Sequence, residues 1–176
     1  MRSRPIRRLT GAAVGVALTL ALLTLAAVPA VAFDRATGQK VVLRLINDAR
    51  ADRGLHALRS CAALSGAARA HSVDMIRHDY FAHSSLSGAG VGRRARRAGY
   101  GVSGCSQWSV GEVIAWGSGV RGGPRAVFKA WMHSASHRSV ILGRRWRDVG
   151  VGCARGTFQG IPGVVMYTVD VGRRAQ

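Results

Sequence analysis

Apolar positions along the chain fall into alternating helical and strand-like periods, starting at Asp34. From Asp34 to Arg53, Val42, Leu45, Ile46 and Ala49 recur at helical spacing, and Gly54 stands where a helix C-cap belongs. A second helix is predicted from an N-cap at Ser60 to about Asp79, with Leu64, Ala67, Ala68, His71, Met75 and His78 on one face. Tyr80 to Gly90 has no period and reads as an exposed loop. Val91 to Ala98 predicts a short arginine-rich helix stopped by Gly99, and Trp108 to Trp116 has the apolar density of a strand. Pro124 suits the first turn of a further helix that ends near Ser134, and a helical turn runs from His137 to Leu142. Two strands close the chain. In the first, Val149, Val151 and Cys153 alternate with glycines; in the second, Val165, Tyr167, Val169 and Val171 alternate with Val164, Met166, Thr168 and Asp170, with Gly156 to Gly163 as the turn region between them. Helices, a central strand, more helix and a terminal antiparallel pair predict an α+β fold, a mainly antiparallel sheet covered by helices.

The stretch before Asp34 changes the picture of where this domain resides. Arg2, Arg4, Arg7 and Arg8 precede an uncharged run from Leu9 to Ala32, and Ala30-Val31-Ala32 offers small residues for cleavage. Residues 1–32 therefore read as a secretory signal and 33–176 as one domain outside the cytoplasm. Left uncleaved, the same run of about 20 apolar residues is long enough to anchor the chain in a membrane.

Charge narrows the partners. The chain carries a formal +18, and loss of the signal with its four arginines lowers this to +14. Such a surface favours anionic partners, which outside a cell are anionic lipid, cell-wall polymer or acidic groups on an extracellular protein. Arg93-Arg94-Ala95-Arg96-Arg97 and Arg144-Arg145-Trp146-Arg147 are the densest clusters. No recognised nucleic-acid motif accompanies them, so they read mainly as a solvated face. Cys61, Cys105 and Cys153 all lie in the exported part, where a disulfide is permitted; any of three pairings leaves one thiol over.

Glu112 is the only glutamate in the chain, and it falls in the apolar central strand. A carboxylate buried there needs a cation, a histidine or a metal, because an unpartnered buried charge costs about 3–5 kcal/mol. The plain alternative is a structural ion pair with an arginine. His83 in the loop and His137 on the late helical turn are the imidazoles on segments able to converge on it. His71 and His78 lie on a helix's apolar face and read as core or helix-end residues. No Gly-x-Ser-x-Gly elbow or His-Glu-x-x-His helix is present.

Seven stretches in order resemble one family. They are Leu45-Ile46-Asn47 with Arg50 and Gly54-Leu55; Ala70-His71-Ser72 with Asp74-Met75; Tyr80-Phe81-Ala82-His83; Gly111-Glu112 with Ile114-Ala115-Trp116-Gly117; Ala130-Trp131-Met132 with Ser136-His137-Arg138 and Ile141-Leu142; Val149-Gly150-Val151-Gly152; and Tyr167 to Gly172. Together they resemble the CAP superfamily (SCP; cysteine-rich secretory, antigen 5 and pathogenesis-related), its bacterial branch most of all. The resemblance implies an α-β-α sandwich with a cleft built from His83, Glu112 and His137, able in some members to bind Zn2+ or another divalent metal. It also implies a second glutamate about where Ser134 lies. This chain has serine there, so a general acid/base pair of carboxylates is not expected, and Glu112 alone would serve as base beside a metal-bound water held by His83 and His137. The expected function is thus an extracellular binding module with a metal-capable cleft; the alternative is a metal-assisted hydrolase of an envelope component.

Overall fold

A computed structural model describes residues 34–102 and 104–175; the export segment read over residues 1–32 lies outside them. Asp34 caps the first helix, its carboxylate accepting the amide hydrogens of Ala36 and Thr37. Helix α1, Arg35–Ala51, ends as its glycine predicts: Gly54 takes a left-handed φ of 63°, and the Leu55 amide donates back to the Arg50 carbonyl. The second helix, α2, spans Ala62–Arg77. Its N-cap is Cys61, not Ser60, because Arg59–Ser60 form a two-residue strand, β1. Too short to show a period, that strand escapes any pattern in the sequence.

Helix α3 (Val91–Arg97) leads to strand β2 (Gln107–Gly117), a 3-10 turn at Gly119–Gly122, then α4 (Pro124–His133) and α5 (Ala135–Ile141). Strands β3 (Asp148–Phe158) and β4 (Ile161–Ala175) complete the chain. They are longer than their apolar alternation suggests. The turn between them is only Gln159 and Gly160, both with positive φ, which matches the right-handed twist of the flanking strands. The Asp79 carboxylate accepts the Gln159 amide hydrogen at 2.6 Å and ties the end of α2 to this hairpin tip.

The sheet order is β1-β3-β4-β2; β1 lies parallel to β3, and the other two pairings are antiparallel. Residues 165, 167, 169 and 171 of β4 join Val42, Ile46, Val127, Trp131 and Ile141 in one core beneath α1, α4 and α5. The alternate set turns to the opposite face, where Val164 and Met166 pack with Met75 of α2 and Ile114 of β2. An α-β-α sandwich results, as expected.

The glycines of β3 fix how close the second layer comes. A methyl group at Gly150 would lie 2.1 Å from the backbone carbon of Leu64, and one at Gly152 would lie 2.2 Å from that of Ala68. Helix α2 therefore rests its backbone on the strand, an approach that only glycine permits. Ser72 completes the seat by donating its hydroxyl to Thr168 at 2.9 Å. The three cysteines are unbridged; Cys153 is sealed in the core, where burial pushes its thiol up to about 11, while Cys61 and Cys105 are half-buried.

This contact predicts an asymmetric response to one methyl group. Gly152→Ala should cost about 1–3 kcal/mol by overpacking. Gly66→Ala, in the same helix with open space at the added position, should stabilise by about 0.5–1 kcal/mol. Urea denaturation of both variants measures the contrast.

Candidate functional site

Glu112 sits on the face of β2 that α2 covers, opposite Asp170 of β4 in the antiparallel ladder. Both side chains are buried. Two cations or potential cations converge on Glu112: His83 Nδ1 lies 2.7 Å from Oε1, and Arg94 of α3 donates from Nη2 to Oε2 at 2.5 Å. The carboxylate has thus acquired both the histidine and the arginine partner that the sequence left as alternatives. Arg94 also donates to the carbonyls of His83 and Ala89 at 2.8 and 2.6 Å, so one guanidinium neutralises the acid and folds the loop that carries His83.

A second tie holds the same loop. His71 on α2 points Nε2 at the Ala82 carbonyl, 2.9 Å away, and the same nitrogen lies 4.0 Å from Glu112 Oε2. Burial, followed by the nearby Arg94 charge, holds its imidazole below the usual histidine range. His71 is thus a core histidine, as its apolar helix face predicts, yet one that borders the site. His78 turns away to Asp74, at 2.9 Å.

The remaining expected residues are placed less centrally. His83 is held at Glu112 while 59% of its side chain stays exposed. His137 is half-buried on α5, its Nδ1 enclosed without a hydrogen-bond partner. Burial lowers its basicity first, and the neighbouring His83 lowers it further. Ser134 forms the corner between α4 and α5, and its hydroxyl bonds with that of Ser136 at 3.0 Å.

Whether these residues suit a divalent metal follows from their donors. Both oxygens of Glu112 are engaged, one of them by a fixed positive charge that would repel a cation. Among the described residues no three His, Cys, Asp or Glu side chains converge as a metal-holding group. His83 and His137 supply two imidazole donors, one short of the three protein ligands of an open zinc site. The set as folded does not fit a resident zinc ion.

The sequence reading misses two members of this cluster. Arg94 is hidden among five consecutive residues of which four are arginine; its signal is its place beside Ala95 on the only buried positions of α3. Asp170 supplies the second carboxyl that the serine at position 134 appeared to deny. Its signal is the alternation of β4, which sends 164, 166, 168 and 170 to the α2 face. No donor group reaches either oxygen of Asp170, whose side-chain partner is the Glu112 carboxylate across the ladder. Burial, and then the neighbouring Glu112 charge, raise its carboxyl well above the ordinary range and so favour its neutral form.

Two measurements test this electrostatic picture. Arg94→Met should cost about 3–5 kcal/mol by stranding the Glu112 charge, and adding Glu112→Gln should recover most of the loss; denaturation of the single and double variants reads the coupling. For Asp170 the sign follows from its raised pKa: the fold keeps a proton that the unfolded chain releases as pH rises through about 3.9, so its contribution to stability is full below that value and declines above it. Asp170→Asn should remove this decline, leaving the protein about 1 kcal/mol more stable than the parent at pH 7. Parallel stability profiles of parent and variant between about pH 4 and 7 would show an ionised Asp170 instead.

Comparison with known proteins sets this geometry in context. Residues 43–169 match the profile described as the cysteine-rich secretory protein family, CAP. The uncharacterized protein YkwD of Bacillus subtilis (strain 168) is 36% identical over 114 residues, covering 65% of this chain and 41% of its own length. Similar solved structures include an extracellular protein containing an SCP domain from Bacillus anthracis (TM-score 0.64, 24% identity, 79% of this chain and 41% of that one). Another is an outer surface protein of Borrelia burgdorferi (TM-score 0.66, 17% identity, 81% and 96%). The chain thus spans about two fifths of the first two relatives, and the solved structures speak to the fold.

Proposed function

Because the chain belongs to the CAP, or cysteine-rich secretory protein, family, we propose that it is an exported binding module whose basic surface engages the acidic groups of an envelope component, lipid or wall polymer. The observation that supports binding over hydrolysis is the state of Glu112. A general base must be free to take a proton at the reacting atom. Here one carboxylate oxygen is held by Arg94 and the other by His83. The arrangement fixes a loop and a charge pattern; both oxygens of the carboxylate that meets the exposed imidazole are already engaged.

The second support is charge. Without the export segment and its four arginines the chain holds 22 lysines and arginines against eight acids, and the buried acids Glu112, Asp148 and Asp170 are largely offset by the buried Arg50 and Arg94, so the surface stays strongly basic. Phosphate-bearing lipid or polymer is the chemistry that such a surface attracts at long range. Similarity to extracellular and surface-exposed bacterial proteins is consistent with that setting.

Titration of the purified protein with anionic vesicles and with soluble phosphate-bearing wall polymer should show affinity falling about tenfold or more from low to high salt, as screening shortens the reach of the surface charges. Affinity indifferent to ionic strength would contradict the proposal. Hydrolysis of either material, lost on Glu112→Gln, would replace it with the envelope-hydrolase reading.

A further inference from the structure

Strands β2 and β3 finish, and β4 starts, at one end of the sheet. That end exposes apolar side chains which the core does not use. Val120, in the 3-10 turn, is 92% exposed; Ile161, beside the hairpin tip, is 39% exposed; Trp116, near the end of β2, is 36% exposed. They stand on fixed supports. The Trp116 ring packs edge-on against Phe158 at 5.1 Å, and Phe158 pairs with Ile161 across the hairpin. The 3-10 turn is held against β2 and β4: the Gly122 carbonyl accepts the Tyr167 hydroxyl at 3.0 Å, and a methyl group at Gly117 would lie 2.5 Å from the Arg121 carbonyl.

Guanidinium groups accompany these tips. Arg121 belongs to the turn itself. Arg125 occupies the first turn of α4, where the helix dipole favours an acid and no acid is present. Arg155 reaches over Gly163 at the base of the hairpin. All three are exposed, and none is paired with an acid among the described residues. Asp79, the acid tied to the hairpin tip, already accepts the Gln159 amide. The local sequence thus departs from what stability alone favours by exposing a large aliphatic side chain on a turn, beside guanidinium groups that no acid pairs among the described residues. Such a departure points to an external constraint.

We infer that this end of the domain docks on an anionic lipid bilayer, with Trp116, Val120 and Ile161 entering the headgroup layer and Arg121, Arg125 and Arg155 meeting lipid phosphates. Tryptophan favours the headgroup level, where its ring is apolar and its N–H stays hydrated, and aliphatic tips reach just beneath. Arginines near an anionic leaflet add attraction that decays within a Debye length. Apolar tips on separate elements, two strand ends and a turn, suit a fluid interface, whereas a protein partner would need one continuous surface to bury. The inference rests on the proposed binding of anionic envelope components and assigns lipid, not wall polymer, to this end.

Co-sedimentation with vesicles of phosphatidylglycerol and phosphatidylcholine, compared with phosphatidylcholine alone, tests it. The protein should partition to the anionic vesicles. Val120→Glu, at a position too exposed to disturb folding, should reduce that partition about tenfold and leave binding to soluble wall polymer unchanged. Quenching of tryptophan fluorescence by lipids brominated near the headgroup should be strong in the parent and largely lost in Trp116→Phe. Undiminished partition of Val120→Glu, or quenching insensitive to Trp116→Phe, would overturn the inference while the broader binding proposal stands. Binding to wall polymer without binding to vesicles would do the same; binding to neither would remove both.

Discussion

The backbone of α2 lies so close to β3 that water is excluded from one face of the sheet, and the charged groups stranded there must satisfy one another. Gly150 and Gly152 set that distance. Glu112 and Asp170 are neighbours in the same sealed layer, and they meet the constraint differently: Glu112 recruits Arg94 and His83, whereas burial and the Glu112 charge push Asp170 towards its neutral form. Two ionised carboxylates in this space would repel each other without solvent to screen them. The positions of the loop at 80–90 and of α3 follow from this settlement, since Arg94 and His71 bind the loop's carbonyls while serving the acid.

Much of the architecture is legible in the sequence because burial imposes a period. The α1 face, its glycine stop, the two faces of β4 and the proline that opens α4 all appear in the order of residues. Glycines alternating with valines in β3 are equally visible, but their meaning is not. Alternation alone identifies a strand; that a helix backbone sits on the glycines is a fact about a partner distant in the chain. Strand β1 is invisible because two residues carry no period, and the true N-cap of α2 shifts to Cys61 for the same reason.

The site is legible to the extent that its chemistry is scarce. A single glutamate in an apolar strand stands out, and the family resemblance supplies His83 as its partner. Arg94 does not stand out, because one functional arginine among many identical neighbours gives no compositional signal. Asp170 is overlooked for a different reason. The resemblance places a second acid on the α4–α5 corner, where the Ser134 hydroxyl bonds with that of Ser136, while the sheet register delivers a carboxyl from the adjacent strand. Pairing across a ladder connects residues 58 positions apart, and no local pattern encodes it.

The tie between Asp79 and the Gln159 amide has a kinetic and entropic consequence for whatever meets the hairpin end. A free two-residue turn would sample many orientations and lose them on contact. Anchored to a helix terminus, with Phe158 wedged against Trp116, this one is already ordered before any encounter. Association then forfeits little conformational freedom, so modest contacts can yield useful residence times.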